Sequence, residues 1–283
     1  MTKLDYKSSG EGIPLLLLHA FPLSSEMWKS EIKSLEKIVQ VITPDLPGLG
    51  NSPGQVKPSI QQMAFELADF LDSIKVKEPI ILAGLSMGGY VALEFIRQFP
   101  QRVRGLGLFS TRAGADSPEA QEKRLKTIEG IKKEGLEPLA ASMLPNLIGK
   151  TTLETKPEIR REVSRMILKN KNDGIIAALL AIAKRRDSME SLGQIQCPTL
   201  IMAGREDALI PFSESEMMQK KIPGSQLHIF SQAGHLINLE QPGEFRDILE
   251  YFLYSKFKTN LKGKGNHENS NDDKYLYTHR GRA

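Results

Sequence analysis

Three residues of this chain have the types and surroundings that acyl transfer needs. Ser86 lies in Gly84-Leu85-Ser86-Met87-Gly88, between the apolar run Pro79-Ile80-Ile81-Leu82-Ala83 and the helix-like Gly89-Tyr90-Val91-Ala92-Leu93-Glu94-Phe95. A strand that turns abruptly into a helix strains its middle residue, and the turn closes only if the residues two before and two after lack bulk. Gly84 and Gly88 meet that demand. The spacing predicts a nucleophile elbow, with the Ser86 hydroxyl raised beside a helix amino end whose unpaired N–H groups favour developing negative charge. A serine hydroxyl is a poor nucleophile at neutral pH, so it needs a base within reach and a third group to orient that base. His235 ends the small-residue loop Ser231-Gln232-Ala233-Gly234-His235, directly after the apolar run Leu227 to Phe230. Asp207, with Glu206 beside it, follows the run Thr199 to Met202 in Ala203-Gly204-Arg205-Glu206-Asp207. The order Ser, Asp, His is the one that accompanies this kind of elbow.

Those residues need a scaffold that brings strand ends to one edge. Short apolar runs at Ile13 to Leu18, Val39 to Thr43, Ile80 to Ala83, Val103 to Phe109, Thr199 to Met202 and Leu227 to Phe230 have the character of buried parallel strands. Between them lie helical patterns. Ser59 to Ile74 sets Ile60, Met63, Ala64, Leu67, Phe70, Leu71 and Ile74 on one stripe, with Glu66, Asp69 and Asp72 outside it. The alternation predicts an α/β fold with a mostly parallel sheet, whose ligands bind beyond the carboxyl ends of the strands. It breaks between Arg112 and Leu192, where only helical patterns occur: Pro118 to Glu134, Leu136 to Leu144, Pro157 to Lys169 and Gly174 to Ala183. We expect residues 1–111 and 193–255 to form the core and 112–192 a helical cap inserted before the acid-bearing strand. No repeat of fixed period is visible.

Composition narrows the class. With 283 residues, 40% hydrophobic and 25% charged, the chain is typical of water-soluble globular proteins. Its amino terminus lacks the apolar segment of a secretory signal, and its longest apolar run, Ile175 to Ala183, is about half of what a bilayer requires. A cytoplasmic protein with no membrane partner is the expectation. Cys197 is the single cysteine, so no internal disulfide can form, and its place before Pro198 suits a buried apolar residue. The net charge of +4 lies in residues 256–283, a Lys-, Asn- and Gly-rich stretch that reads as a disordered basic tail, while the two signs balance upstream. Nucleic acid is therefore not an expected partner. No metal-ligand spacing appears, so no metal or cofactor is expected.

Taken together, these motifs resemble the α/β-hydrolase family over about residues 4 to 254. The resemblance rests on His19-Ala20-Phe21-Pro22 after a strand, Asp45-Leu46-Pro47-Gly48-Leu49-Gly50-Asn51-Ser52, the elbow, Gly204-Arg205-Glu206-Asp207 and Gly234-His235. It implies a mostly parallel central sheet flanked by helices, and it selects Asp207 over Glu206 as the acid. It also implies an oxyanion hole made by the backbone N–H groups of Phe21 and Met87. His19 and Asp45 are then loop organisers, and Met27 and Trp28 capping and core residues. Where the family usually has Gly, this sequence has Ala20, which would be strained if the loop needed positive φ there.

Carboxylesterase-like and 3-oxoadipate enol-lactonase-like members are the most similar, which implies a small ester or lactone as substrate. Relatives with the same triad also include carbon–carbon bond hydrolases, aminopeptidases and cofactor-free haloperoxidases, and a ligand sensor with a slow triad is an alternative of another class. Met143, Leu144, Leu147 and Ile148 of the cap are candidate lining for the acyl pocket, although core packing would explain them equally. Arg185-Arg186-Asp187 is expected to be a solvated helix end. Oligomeric state is not encoded in any motif.

Overall fold

The structure is a computed structural model, and it describes residues 3–54 and 58–259. Seven strands form one sheet: β1 (Tyr6–Ser9), β2 (Pro14–Leu18), β3 (Gln40–Pro44), β4 (Ile80–Leu85), β5 (Val103–Phe109), β6 (Thr199–Gly204) and β7 (Gln226–Phe230). Their spatial order is β1-β3-β2-β4-β5-β6-β7, antiparallel only between β1 and β3. β2 and β4 are buried along their whole length, which explains why they read as unbroken apolar runs. Side chains alternate between faces, so Leu16, Leu18, Ile80 and Leu82 join one buried cluster while Leu15, Leu17, Ile81 and Ala83 join the other.

Helices cover both faces. On the first, α2 (Ile60–Ser73) and α3 (Met87–Gln98) supply Leu67, Phe70, Val91 and Phe95; on the second, α1 (Lys29–Leu35) and α11 (Pro242–Phe257) supply Leu35, Phe245, Leu249 and Phe252. The stripe expected for α2 is the buried one, and Ser59 caps it by accepting the Gln62 N–H at 3.0 Å. Five helices lie between β5 and β6: α4 (Pro118–Glu134), α5 (Glu137–Leu147), α6 (Lys150–Thr155), α7 (Pro157–Leu168) and α8 (Asn172–Ala183). α9 (Phe212–Lys221) and the short α10 (Ile237–Glu240) complete the order. Phe257 closes α11 against Gly105, where a Cβ would stand 2.4 Å from its ring. The folded chain thus continues past residue 255. Residues 260–283, which hold most of the expected basic tail, lie outside the described residues.

Register decides which loops meet. Leu18 pairs with Gly84, Leu85 with Phe109, Phe109 with Met202, and Gly204 with Phe230. The parallel strands therefore end level, and the segments after β2, β4, β6 and β7 emerge at one sheet edge. The helical insertion contacts that edge at several points. Asn170 Oδ1 accepts the Gly50 N–H at 2.8 Å and its amide donates to the Pro22 carbonyl at 3.0 Å. Arg165 and Lys169 pair with Glu26.

Candidate active site

Ser86 sits where β4 turns into α3, with φ 55° and ψ −112°, a strained conformation for a residue with a Cβ. Such strain costs on the order of 1–3 kcal/mol and persists only when the surroundings enforce it. They do so through hydrogen bonds and close approach. The Ser86 N–H donates to the Phe109 carbonyl at 2.9 Å, and its carbonyl accepts from the Gly89 N–H at 2.9 Å and the Thr111 hydroxyl at 2.8 Å. A Cβ on Gly84 would stand 2.1 Å from the Gly88 carbonyl carbon, and one on Gly88 would stand 2.3 Å from the Leu18 carbonyl oxygen. No other residue fits at either place. Met87 opens α3, so its N–H is among those the helix leaves without an intrahelical acceptor.

His235 and Asp207 come together from the loops after β7 and β6. The His235 Nδ1 lies 2.7 Å from Asp207 Oδ2, with both side chains buried. The second carboxyl oxygen accepts the Leu209 and Ile210 N–H groups, each at 2.9 Å. Asp207 is thus used only as an acceptor, which assigns the His235 proton to Nδ1 and leaves Nε2 able to accept one. The two loops touch: a Cβ on Gly204 would stand 2.0 Å from the Gly234 carbonyl oxygen. The His235–Asp207 pair therefore stands at the same sheet edge as strained Ser86.

The family model described as alpha/beta hydrolase fold matches residues 13–242. The chain belongs to the α/β-hydrolase family. This hydrolase is similar to a thermophilic esterase from Thermogutta terrifontis, solved with malate bound: 40% identity, a TM-score of 0.86, 89% of this chain and 93% of that one covered. It is also similar to the pimeloyl-[acyl-carrier protein] methyl ester esterase of Nitrosomonas europaea, 26% identical over 253 residues that cover 87% of this chain and 97% of the relative. A 3-oxoadipate enol-lactonase of Acinetobacter baylyi is 25% identical over 250 residues, covering 87% and 91%.

In the hydrolase the loop after β2 is fixed by His19. Its Nε2 accepts the Leu46 N–H at 2.8 Å and its Nδ1 lies 3.0 Å from the Ala20 carbonyl, an arrangement that suits a neutral imidazole. Burial agrees, pushing the His19 pKa down. The positive-φ residues other than glycine among those described are Lys75, Ser86, Ser110 and Lys258, so Ala20 carries no such strain. Phe21, joined to Pro22 by a cis peptide bond, belongs to the same buried cluster as Met87. Asp45 accepts the Ser25 N–H at 2.7 Å and the Asn51 N–H at 2.9 Å, organising loops rather than reaching the site.

Other candidates fall elsewhere. Leu144, Leu147 and Ile148 are buried in the packing of α5 with α7, while Met143 is partly buried against both clusters. The Ile148 backbone also abuts Gly234, beside His235. His228 lies on β7 and pairs with Glu244 at 2.8 Å. Cys197 is partly buried, and desolvation raises its pKa, which keeps a neutral thiol. Arg185 differs from the expected solvated helix end: its side chain is 3% exposed and pairs with Asp116 at 2.6 Å. A helix-end pattern could not show a partner that lies 69 residues away.

Glu240 was not foreseen. Its side chain accepts N–H groups from Gly234 at 3.0 Å and Leu236 at 3.1 Å, the two neighbours of His235, and from Gly149 of the helical insertion at 2.8 Å. Burial raises its pKa, against the pull of those amides. An acid five residues after the histidine was the one available signal. Glu206, the rival acid, instead accepts the Thr151 N–H and hydroxyl. Among the described residues no group of three or more His, Cys, Asp or Glu could hold a metal ion, and no helix is long and apolar enough to cross a membrane.

Proposed function

We propose that this α/β-hydrolase cleaves a small carboxylic ester or lactone through an acyl-enzyme on Ser86. The observation that carries the reading is the Asp207–His235 hydrogen bond at the sheet edge where strained Ser86 emerges. Ser86 Oγ attacks the carbonyl carbon as its proton passes to His235 Nε2. Asp207 holds the imidazole and stabilises the imidazolium. The N–H groups of Phe21 and Met87 hold the oxyanion, each worth on the order of 10²-fold to 10³-fold in turnover. Collapse expels the alcohol, which takes the proton from His235. In a lactone that alcohol stays tethered to the acyl group. Water, deprotonated by His235, then attacks the acyl-enzyme and releases the acid, restoring Ser86.

Residues 112–192 act as a cap. Their hydrogen bonds to Glu240, Glu206 and the loops after β2 and β3 support a wall over the reacting edge. Met143, partly open between the clusters, meets the acyl group, with Leu144, Leu147 and Ile148 as the packed wall behind it. The test is hydrolysis of short p-nitrophenyl esters and of small lactones by wild type and Ser86→Ala, side by side. We expect turnover by wild type and a loss on the order of 10⁴-fold to 10⁶-fold in the variant. Equal rates would end the proposal.

A further inference from the structure

A cleft whose lining includes none of Ser86, Asp207 and His235 opens along the flank of α3. It has a volume of about 190 Å³, and its walls come from the start of α2, one side of α3, the segment after β5 and the residues that follow α8. That exceeds the roughly 150 Å³ able to hold a benzene-sized molecule. On α3 its lining runs from Tyr90, four residues beyond Ser86, through Leu93 and Glu94 to Arg97, eleven residues beyond, about 6–16 Å along the helix at 1.5 Å per residue.

The cleft holds far more positive than negative charge. Five cationic side chains line it, Arg97, Arg112, Lys184, Arg185 and Arg186, against one lining carboxylate, Glu94. Glu94 is already engaged by Arg97 through both oxygens. Behind the wall, Asp116 is shared by three guanidinium groups, those of Arg112, Arg124 and Arg185. Burial alone would raise the Asp116 pKa, yet Arg124 and Arg185 hold it below the usual carboxylate range. Arg185 is almost wholly buried, with its guanidinium 4.2 Å from the Tyr90 ring centre. The Nε–H groups of Arg112 and Arg185 are buried without a hydrogen-bond partner. Among the described residues no ion pair reaches Lys184 or Arg186, both exposed. The carboxyl end of α8 contributes only about half a negative charge, too little to balance this group.

An anion would supply what is missing. Planar guanidinium groups match the oxygens of a phosphoryl group in paired hydrogen bonds, and the two exposed cations at the rim add charge to hold a dianion. We propose that this cleft is a second binding site, for a phosphoryl group, separate from the reacting edge. The proposal does not depend on the chemistry assigned to Ser86.

Calorimetric titration of the full chain with inorganic phosphate, at an ionic strength fixed with sodium chloride, tests it. Wild type is expected to bind one phosphate saturably. The double variant Lys184→Ala/Arg186→Ala removes two exposed side chains that the fold does not use, and should bind at least about tenfold more weakly. Its ester hydrolysis should be unchanged. Succinate, a dianion without the tetrahedral oxygens, should bind more weakly than phosphate. Absence of saturable phosphate binding, equal affinity in the double variant, or tighter binding of succinate would each overturn the proposal.

Discussion

Glu31 offers a prediction whose sign and size come from the structure. It lies on α1, 1% exposed, and its Oε2 has no hydrogen-bond partner; nor has the buried Oδ1 of Asn238, three residues after His235. Asn238 spends its amide on the Met27 carbonyl at 3.0 Å. Burial raises the Glu31 pKa from the ordinary 4.5 to about 7, although Asn238 and Arg246 pull it back. The native protein therefore keeps a proton that the unfolded chain releases between those values, and stability falls as pH rises through that window. At about 1.4 kcal/mol per tenfold change in proton concentration, the loss is roughly 3 kcal/mol by pH 8. Glu31→Gln keeps the shape and the donor but cannot ionise. Urea unfolding of both proteins at pH 5, 6, 7 and 8 reads the difference directly, because titrations common to both cancel. The variant should gain on wild type by about 1 kcal/mol per pH unit between pH 5 and 7 and by little more up to pH 8, about 2.5 kcal/mol in all. Parallel stability curves, or a variant that loses ground as pH rises, would refute the reasoning.

Two further substitutions probe positioning and charge. Glu240→Gln turns an NH₂ group toward backbone N–H groups that now have an acceptor, so we expect a loss of about 1–3 kcal/mol in unfolding free energy. Since those amides flank His235, kcat should fall more than KM changes, and steady-state kinetics will show it. At Asp116 the two signs are unequal. Asp116→Asn leaves buried guanidinium groups uncompensated and should cost about 3–5 kcal/mol, whereas Arg185→Met removes one of three cations and should cost less than about 2 kcal/mol, both read by chemical denaturation.

What the sequence revealed followed from local physics. Ser86 was legible because Gly84 and Gly88 are the residues a crowded strand-to-helix turn demands, and the approaches at both confirm the crowding. The bounds of α4 were legible for a similar reason: Ser117 caps it, Pro118 opens it and Gly135, at φ 79°, ends it. Buried parallel strands declared themselves as apolar runs. β1 did not, because three of its four residues are exposed on the antiparallel edge. α9 was silent because only Ser215 and Met218 are buried, too few for a stripe. Glu240, Arg185 and Thr111 take their roles from partners that arrive only when distant segments pack. No periodicity carries that information.

The most direct test of the central claim is to label the protein with a fluorophosphonate and map the adduct by peptide mass spectrometry. A phosphonyl group on Ser86 alone, formed in wild type and strongly slowed in His235→Ala, is the expected result. An adduct on another residue, or none in a preparation that hydrolyses esters, would contradict the account.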